Sequence, residues 1–400
     1  MRTYVFGLFL LGLIPSVFLN PYIGVLLYSW ISFMSPQQLM WSFPSAIPLA
    51  LITALMTVIS WLISNEPKRL RFDATAWLIL SFAILTSLTT LVALNPAQAV
   101  VEWDLTIKAL FFVLVTMALT TNRIRAHALL WVMAVAIGFY GLKGGVFALL
   151  HGGDYRILGP ANTVVSDNND IAAGLLVALP LMNYVRMNSA RRWLRIAWLI
   201  VIACSIFAVL STYSRGGLLG LVACVVWLWL KSSNKLVSGL AIGLIAVAAF
   251  SFMPEKYFAR IETIATYQQD ESAMGRIEIW GAALKIALAR PLTGGGYRVT
   301  QSQAVLNRYD PGLPVTARDE HNVYIGVLAD QGFIGLLIWL ALPVVGWRNS
   351  RWLIRRARGR PEWRWAGDFA RMSQVSIVAF FVAGSFLNIE YWDYYFTLIG

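Results

Sequence analysis

Apolar runs of roughly 18 to 25 residues recur along this chain, and they constrain its fold more than any other feature. A bilayer core takes about 20 residues of helix to cross. Only 13% of the residues are charged, against about 25% in a soluble domain. The two-residue alternation of a membrane barrel is absent. The reading is therefore all-α: a polytopic integral membrane protein of about twelve transmembrane helices, forming one membrane domain over 1–400. Seventeen Trp and fifteen Tyr suit two aromatic belts at the membrane interfaces.

Taken in order, the chain opens with an apolar stretch, 4–34, that Asn20-Pro21 breaks into one kinked span or two short ones. No small-residue cleavage site follows 3–18, so that segment reads as a retained membrane segment. Further spans are expected at 47–63, 74–94, 101–119, 128–150, 171–184, 196–210, 218–230, 236–252, 323–345 and 373–387. Residues 391–399 look like the start of another. Basic loops at 68–71, 123–125, 186–195, 231–235 and 348–371 fall on every second connection, which makes that side cytoplasmic. The net charge of +12 follows largely from this bias. The tryptophans among the arginines of 348–371 make that segment an expected interfacial helix. Cys204 and Cys224 lie inside apolar runs and read as small core residues.

The other side carries the polar groups. A large loop, 254–320, lies between the tenth and eleventh spans and closes on His321-Asn322-Val323-Tyr324. Within it, 273–289 has helical periodicity at Ile277, Trp280, Leu284 and Leu288, and Gly294-Gly295-Gly296 reads as a turn. Arg215 stands at the mouth of a span, followed by Gly216 and Gly217. Its plain reading is an arginine snorkelling to the interface beside glycines that allow helix packing. Its sharper reading is anion binding, with the glycines letting a substrate approach the backbone. Arg276 and Arg156 are further cations on this side, and Asp167-Asn168-Asn169-Asp170 is suited to capping the next span.

His321 sits where polar loop meets membrane, behind Asp319 and Glu320, either of which can orient an imidazole. That suits a general base for a hydroxyl proton. Lys143 lies within an apolar run, and Glu102, Asp104 and Lys108 near the start of another; such charges either pair with one another or serve function. No spacing matches a zinc or di-metal site, and no cofactor or nucleic-acid partner is expected.

Three motifs stand in a fixed order: Ser214-Arg215-Gly216-Gly217, then Gly275-Arg276 with Trp280 downstream, then His321-Asn322-Val323-Tyr324 with Gly332 and Gly335. The set resembles the O-antigen ligase and polymerase superfamily of bacterial envelope enzymes. The stretch from Arg156 to Asn169 is also similar to O-glycosylation ligases associated with exosortase systems. The resemblance implies a metal-independent, inverting glycosyltransferase of the bacterial inner membrane with its site facing the periplasm. It implies an undecaprenyl-diphosphate-linked glycan as donor and the lipid A-core oligosaccharide as acceptor. Carried over to this sequence, Arg215 and Arg276 bind the diphosphate and His321 acts as base. Arg156 and Lys143 as further diphosphate ligands, and Glu320 as a catalytic partner of His321, are additions from the residues alone. An O-antigen polymerase or a protein O-glycosylation ligase would share the donor. A lipid-linked glycan transporter would need charges along a central path, and these spans are nearly charge-free.

Overall fold

The computed structural model describes residues 2–39, 47–70, 72–232, 234–262 and 271–400. Arg71 and residues 263–270 of the long polar loop lie outside the described residues. Among the described residues every regular element is helical. In order these are α1 (Arg2–Leu19), α2 (Pro21–Met34), α3 (Leu49–Ile63), α4 (Ala74–Leu91), α5 (Pro96–Leu119), α6 (Arg123–Leu150), α7 (Asn168–Asn188) and α8 (Arg192–Ser211). Then follow α9 (Arg215–Lys231), α10 (Lys235–Phe252), α11 (Glu255–Glu262), α12 (Glu271–Ala289), α13 (Gln303–Tyr309), α14 (Val323–Arg356), α15 (Arg364–Gly384) and α16 (Asp393–Ile399). Five of them, α4, α6, α7, α8 and α14, are long and apolar enough to cross a membrane, which makes this a multi-pass membrane protein.

Polar residues start these helices. Asn20, Asp73, Asn122, Asp167, Ser214, Asn234 and Asn322 each accept a backbone N–H of the following first turn. Asn20 with Pro21 at the first helical position splits the opening apolar stretch into two helices rather than one bent one. The centre of the bundle is α7, which packs against α6, α8, α9 and α15. Leu175, Leu176, Val177, Ala178, Leu181 and Met182 are all buried, so this helix is apolar around its whole circumference. At Gly145, α6 meets the backbone of Cys204 on α8 too closely for any side chain. Cys204 and Cys224 are buried free cysteines.

Three expectations change. The helix α14 is not one clean span: Gly332 has φ +70 and ψ −172, so the element is two helices meeting at a break. The triple-glycine turn docks into that break. Phe333 N donates to Pro291 O (2.8 Å), Gly295 N to Ala329 O (2.8 Å) and Gly296 N to Asp330 O (2.9 Å). A broken helix at membrane depth survives where protein replaces its lost hydrogen bonds. Second, 348–371 is not one interfacial helix. It is the end of α14, a turn with Gly359 at φ +71, a short 3-10 turn and the start of α15. Trp352 and Trp363 both lie against the Arg356 guanidinium, at 5.5 and 5.7 Å. Third, the regular part of 391–399 is short and buried. The seven-residue α16 tucks Tyr394, Tyr395 and Phe396 into the core, with Tyr395 stacked on Phe380 at 4.1 Å.

Candidate functional site

One end of the bundle gathers the end of α6, the starts of α7, α9 and α14, and the turn after α15. Asp167 caps α7, and Asn168 Nδ2 donates to Thr212 O (2.9 Å), which ties α7 to the turn between α8 and α9. Ser214 Oγ accepts from Gly217 N (2.9 Å) and opens α9 with Arg215 at its first position. Arg215 is half-buried. A side chain on Gly216 would meet Phe386 Cβ at 2.9 Å, and one on Gly217 would meet Ala172 Cβ at 2.8 Å. Protein fills the space beside both glycines. Close packing of α9 on α7 and on the turn after α15 requires a small residue at each.

That same turn carries Asn388, whose amide lies 3.4 Å from His321 Nδ1. The start of α9 and His321 therefore flank one short segment, 386–388. His321 is itself left-handed (φ +49), just before Asn322 caps α14. Burial lowers its pKa, and the Arg276 charge lowers it further; Asp319 and Asp167 oppose, and Arg318 adds to the lowering. Arg276 is half-buried on α12. The Arg318 guanidinium packs where a side chain on Gly275 would stand, with Nη1 2.8 Å from that position. His321, Arg276, Arg318 and Asp167 thus share one electrostatic neighbourhood. Burial and the two arginines together favour the neutral form of the imidazole.

The two acids before His321 do not orient it in this structure. Asp319 Oδ1 accepts from Arg298 Nη1 (3.1 Å) and from Gln301 Nε2 (2.5 Å). Glu320 is 3% exposed; its Oε1 accepts from Thr300 Oγ1 (2.7 Å), and its carbonyl accepts from Trp280 Nε1 (2.6 Å). Burial pushes the Glu320 carboxyl above its ordinary value. Residues 298–301 form a bracket that clamps both. The ring's own neighbour is Asn388, which motif reading had no reason to pick out.

Arg298 is the second residue that sequence reasoning missed. It is left-handed (φ +55), follows the docked glycine turn, and faces Asp319 and, at 3.5 Å, Glu102 from α5. Burial works against its charge, yet Glu390, Glu102, Asp319 and Asp330 outweigh burial and push its pKa up. Asp330 accepts from Tyr391 Oη (3.0 Å) and Val299 N (3.3 Å), so the break in α14, the glycine turn and the turn after α15 meet here. Of the charges placed near the start of α5, Glu102 pairs with Arg298, and Asp104 pairs with Lys108 at 2.5 Å. Pairing accounts for all three.

Lys143 and Arg156 come together elsewhere. Both line a cavity of about 460 Å³ between α6 and the loop after it, with Tyr140, Phe147, Ile157 and Pro160 among its walls. None of Arg215, Arg276 and His321 lines that cavity. Among the described residues no group of three or more His, Cys, Asp or Glu is arranged to hold a metal ion.

Residues 200–340, which hold Arg215, Arg276, Arg298 and His321, match the family model described as O-antigen ligase. Over this segment, about a third of its length, the chain is similar to the O-antigen ligase family. Residues 1–190 match a family of unknown function, DUF5935. An O-antigen ligase of Pseudomonas aeruginosa is 31% identical over 152 residues, covering 36% of this chain. The chain spans about a third (33%) of that relative's length. The matched segment carries His321, Arg215, Arg276 and the bracket at 298–301. Asn388 and the cavity at Lys143 lie outside it.

Proposed function

We propose that this protein is a glycosyltransferase of the O-antigen ligase kind. In this reading it moves a glycan from undecaprenyl diphosphate to the lipid A-core oligosaccharide, on the periplasmic face of the bacterial inner membrane, with about twelve spans and the 254–320 loop on that face. The observation that carries the reading is His321, with its pKa held down by burial and Arg276, inside the segment that matches the family.

The chemistry follows from those parts. A neutral imidazole nitrogen takes the proton of an acceptor hydroxyl. The hydroxyl oxygen attacks the anomeric carbon, and the bond from that carbon to the diphosphate oxygen breaks. The electron pair leaves with the diphosphate. Attack opposite the leaving group inverts the anomeric centre. Arg215 and Arg276 hold the diphosphate and neutralise the charge that grows on it, which is the part a metal ion plays elsewhere. Asn388 serves the ring: with its carbonyl oxygen accepting from Nδ1–H, the lone pair at Nε2 is the base. That orientation also gives a partner to the buried Asn388 Oδ1, which otherwise has none among the described residues. Glu320 acts at one remove, as the buried anchor of the His321 loop. Lys143 and Arg156 are phosphate ligands too, from the separate cavity beside α6.

The deciding experiment is reconstituted transfer from an undecaprenyl-diphosphate glycan to lipid A-core, comparing wild type with His321→Ala. Transfer by wild type alone supports the reading. Glycan found instead on protein serine or threonine, or on the growing glycan, would move the acceptor to that class. Transfer undiminished in His321→Ala would remove the base.

A further inference from the structure

The cavity beside α6 has its own chemistry. Lys143 lies seven residues before the end of α6, about 10 Å along the axis. Its side chain nevertheless lines the same cavity as Arg156. Arg156 comes from the loop that follows. Both are exposed, and neither has an ion-pair partner among the described residues. The acid nearest to Arg156 in sequence, Asp154, is held by Lys256 at 2.9 Å. Two unpaired like charges lining one partly apolar cavity favour an anion between them.

A second feature lies alongside. Phe147, which lines the cavity, stacks on His151 with ring centres 4.2 Å apart and planes 30° apart. His151 in turn meets Tyr155 edge-on at 5.5 Å, and its Nδ1 is tied to Phe147 O at 2.8 Å. Phe147, His151 and Tyr155 are all exposed. Fixed ring faces of this kind suit the C–H face of a pyranose, with polar ring edges beside them for its hydroxyls. Leu150 and Leu158, also exposed, add apolar surface at the end of a membrane-spanning helix.

We propose that this cavity binds the phosphorylated saccharide headgroup of a membrane amphiphile, with phosphate on Lys143 and Arg156 and a sugar ring on the Phe147–His151 shelf. It is a site apart from the donor diphosphate at Arg215 and Arg276. Its ligand is the acceptor, an assignment that rests on the transferase reading, whereas the binding itself does not.

The test uses the full chain in nanodiscs of neutral lipid. The probe is octyl glucoside carrying a 6-phosphate, with unphosphorylated octyl glucoside and inorganic phosphate as the other arms. The phosphorylated probe should bind at least tenfold more tightly than either. Lys143→Gln with Arg156→Gln should weaken it at least tenfold, Arg156→Lys should retain most of it, and Arg215→Ala with Arg276→Ala should change it less than twofold. Unchanged binding in the Lys143/Arg156 variant overturns the proposal. So does equal loss in the Arg215/Arg276 variant, which would make one site of two, and so does inorganic phosphate binding as tightly as the probe. In reconstituted transfer, the Lys143/Arg156 variant should raise KM for a phosphorylated acceptor about tenfold and leave donor KM alone; the reverse pattern overturns the acceptor role. Absence of transfer by wild type would sink the transferase reading, and the binding arms would still decide the cavity.

Discussion

Arg298 Nη1 lies 3.1 Å from Asp319 Oδ1, and that contact fastens the backbone two residues before His321. The guanidinium is mostly buried and also faces Glu102. Arg298→Met would leave two carboxylates without their cation. Losing one partner of a buried pair costs about 3–5 kcal/mol, and partial exposure here reduces that to about 1–3 kcal/mol. If the loss falls on the placement of His321, transfer should drop about 10- to 100-fold. The fall should be in kcat, with donor KM little changed, and Arg298→Met with Asp319→Asn should recover part of it. Equal kcat in wild type and Arg298→Met would show that the bracket does not position the base.

The pH profile reports on His321 directly. Its pKa is lowered by burial and by Arg276. In the proposed mechanism the active form is the neutral one, so kcat/KM should rise with pH through an ionisation below the ordinary value near 6.5. Asn388→Asp places a carboxylate beside Nδ1 and should stabilise the imidazolium. The rising limb should then move to higher pH, while Asn388→Ala should lower the rate without that upward move. A limb that stays in place in Asn388→Asp would separate the titrating group from His321.

How much of this was legible in the sequence depends on the range of the interaction. Apolar runs and polar caps act within a few residues, and they marked the helices well. Periodicity found α12 inside the polar loop, yet it missed the buried face. Ile279, Ala282, Ala283 and Ile286 are buried, whereas Ile277, Leu284 and Leu288 are exposed. Counting large apolar residues fails on a helix whose inner face mixes isoleucine with alanine while large residues also stand on its outer face. His321, Arg215 and Arg276 stood out through motifs with local order. Arg298 and Asn388 did not, because their meaning comes from partners far along the chain, Glu102 for one and His321 for the other. The break at Gly332 was hidden for the same reason, since its missing hydrogen bonds are made by the turn at 291–296.

That break makes a stability prediction free of catalysis. A side chain at Gly332 would stand 2.6 Å from Pro291 O, and its φ of +70 is costly for any other residue. Gly332→Ala should destabilise the protein by about 1–3 kcal/mol from backbone strain, more if the docked turn is displaced. Gly312→Ala, with nothing within 4 Å of the added carbon, is the control. Thermal unfolding in one detergent should show a lower Tm for Gly332→Ala alone. Equal Tm values would mean that the turn and helix do not hold each other.

The two arginines proposed to hold the donor give the last separation. Arg215 opens α9, and Arg276 lies on α12 close enough to His321 to shift its titration. A diphosphate held by both should lose affinity about tenfold or more when either becomes Ala. Lys at either position keeps the charge but not the planar fork, so it should restore only part of the loss. The effects should differ in kind. Arg276→Ala removes a cation beside His321, so the pH limb should move upward along with the rise in donor KM, whereas Arg215→Ala should raise donor KM with little movement of the limb. Transfer by wild type should also withstand EDTA, because in this mechanism the arginines carry the charge of the leaving group. Donor KM and pH profiles of both variants, with and without chelator, check all of this. A loss of wild-type activity to EDTA, restored by a divalent cation, would put a metal where the arginines are placed here.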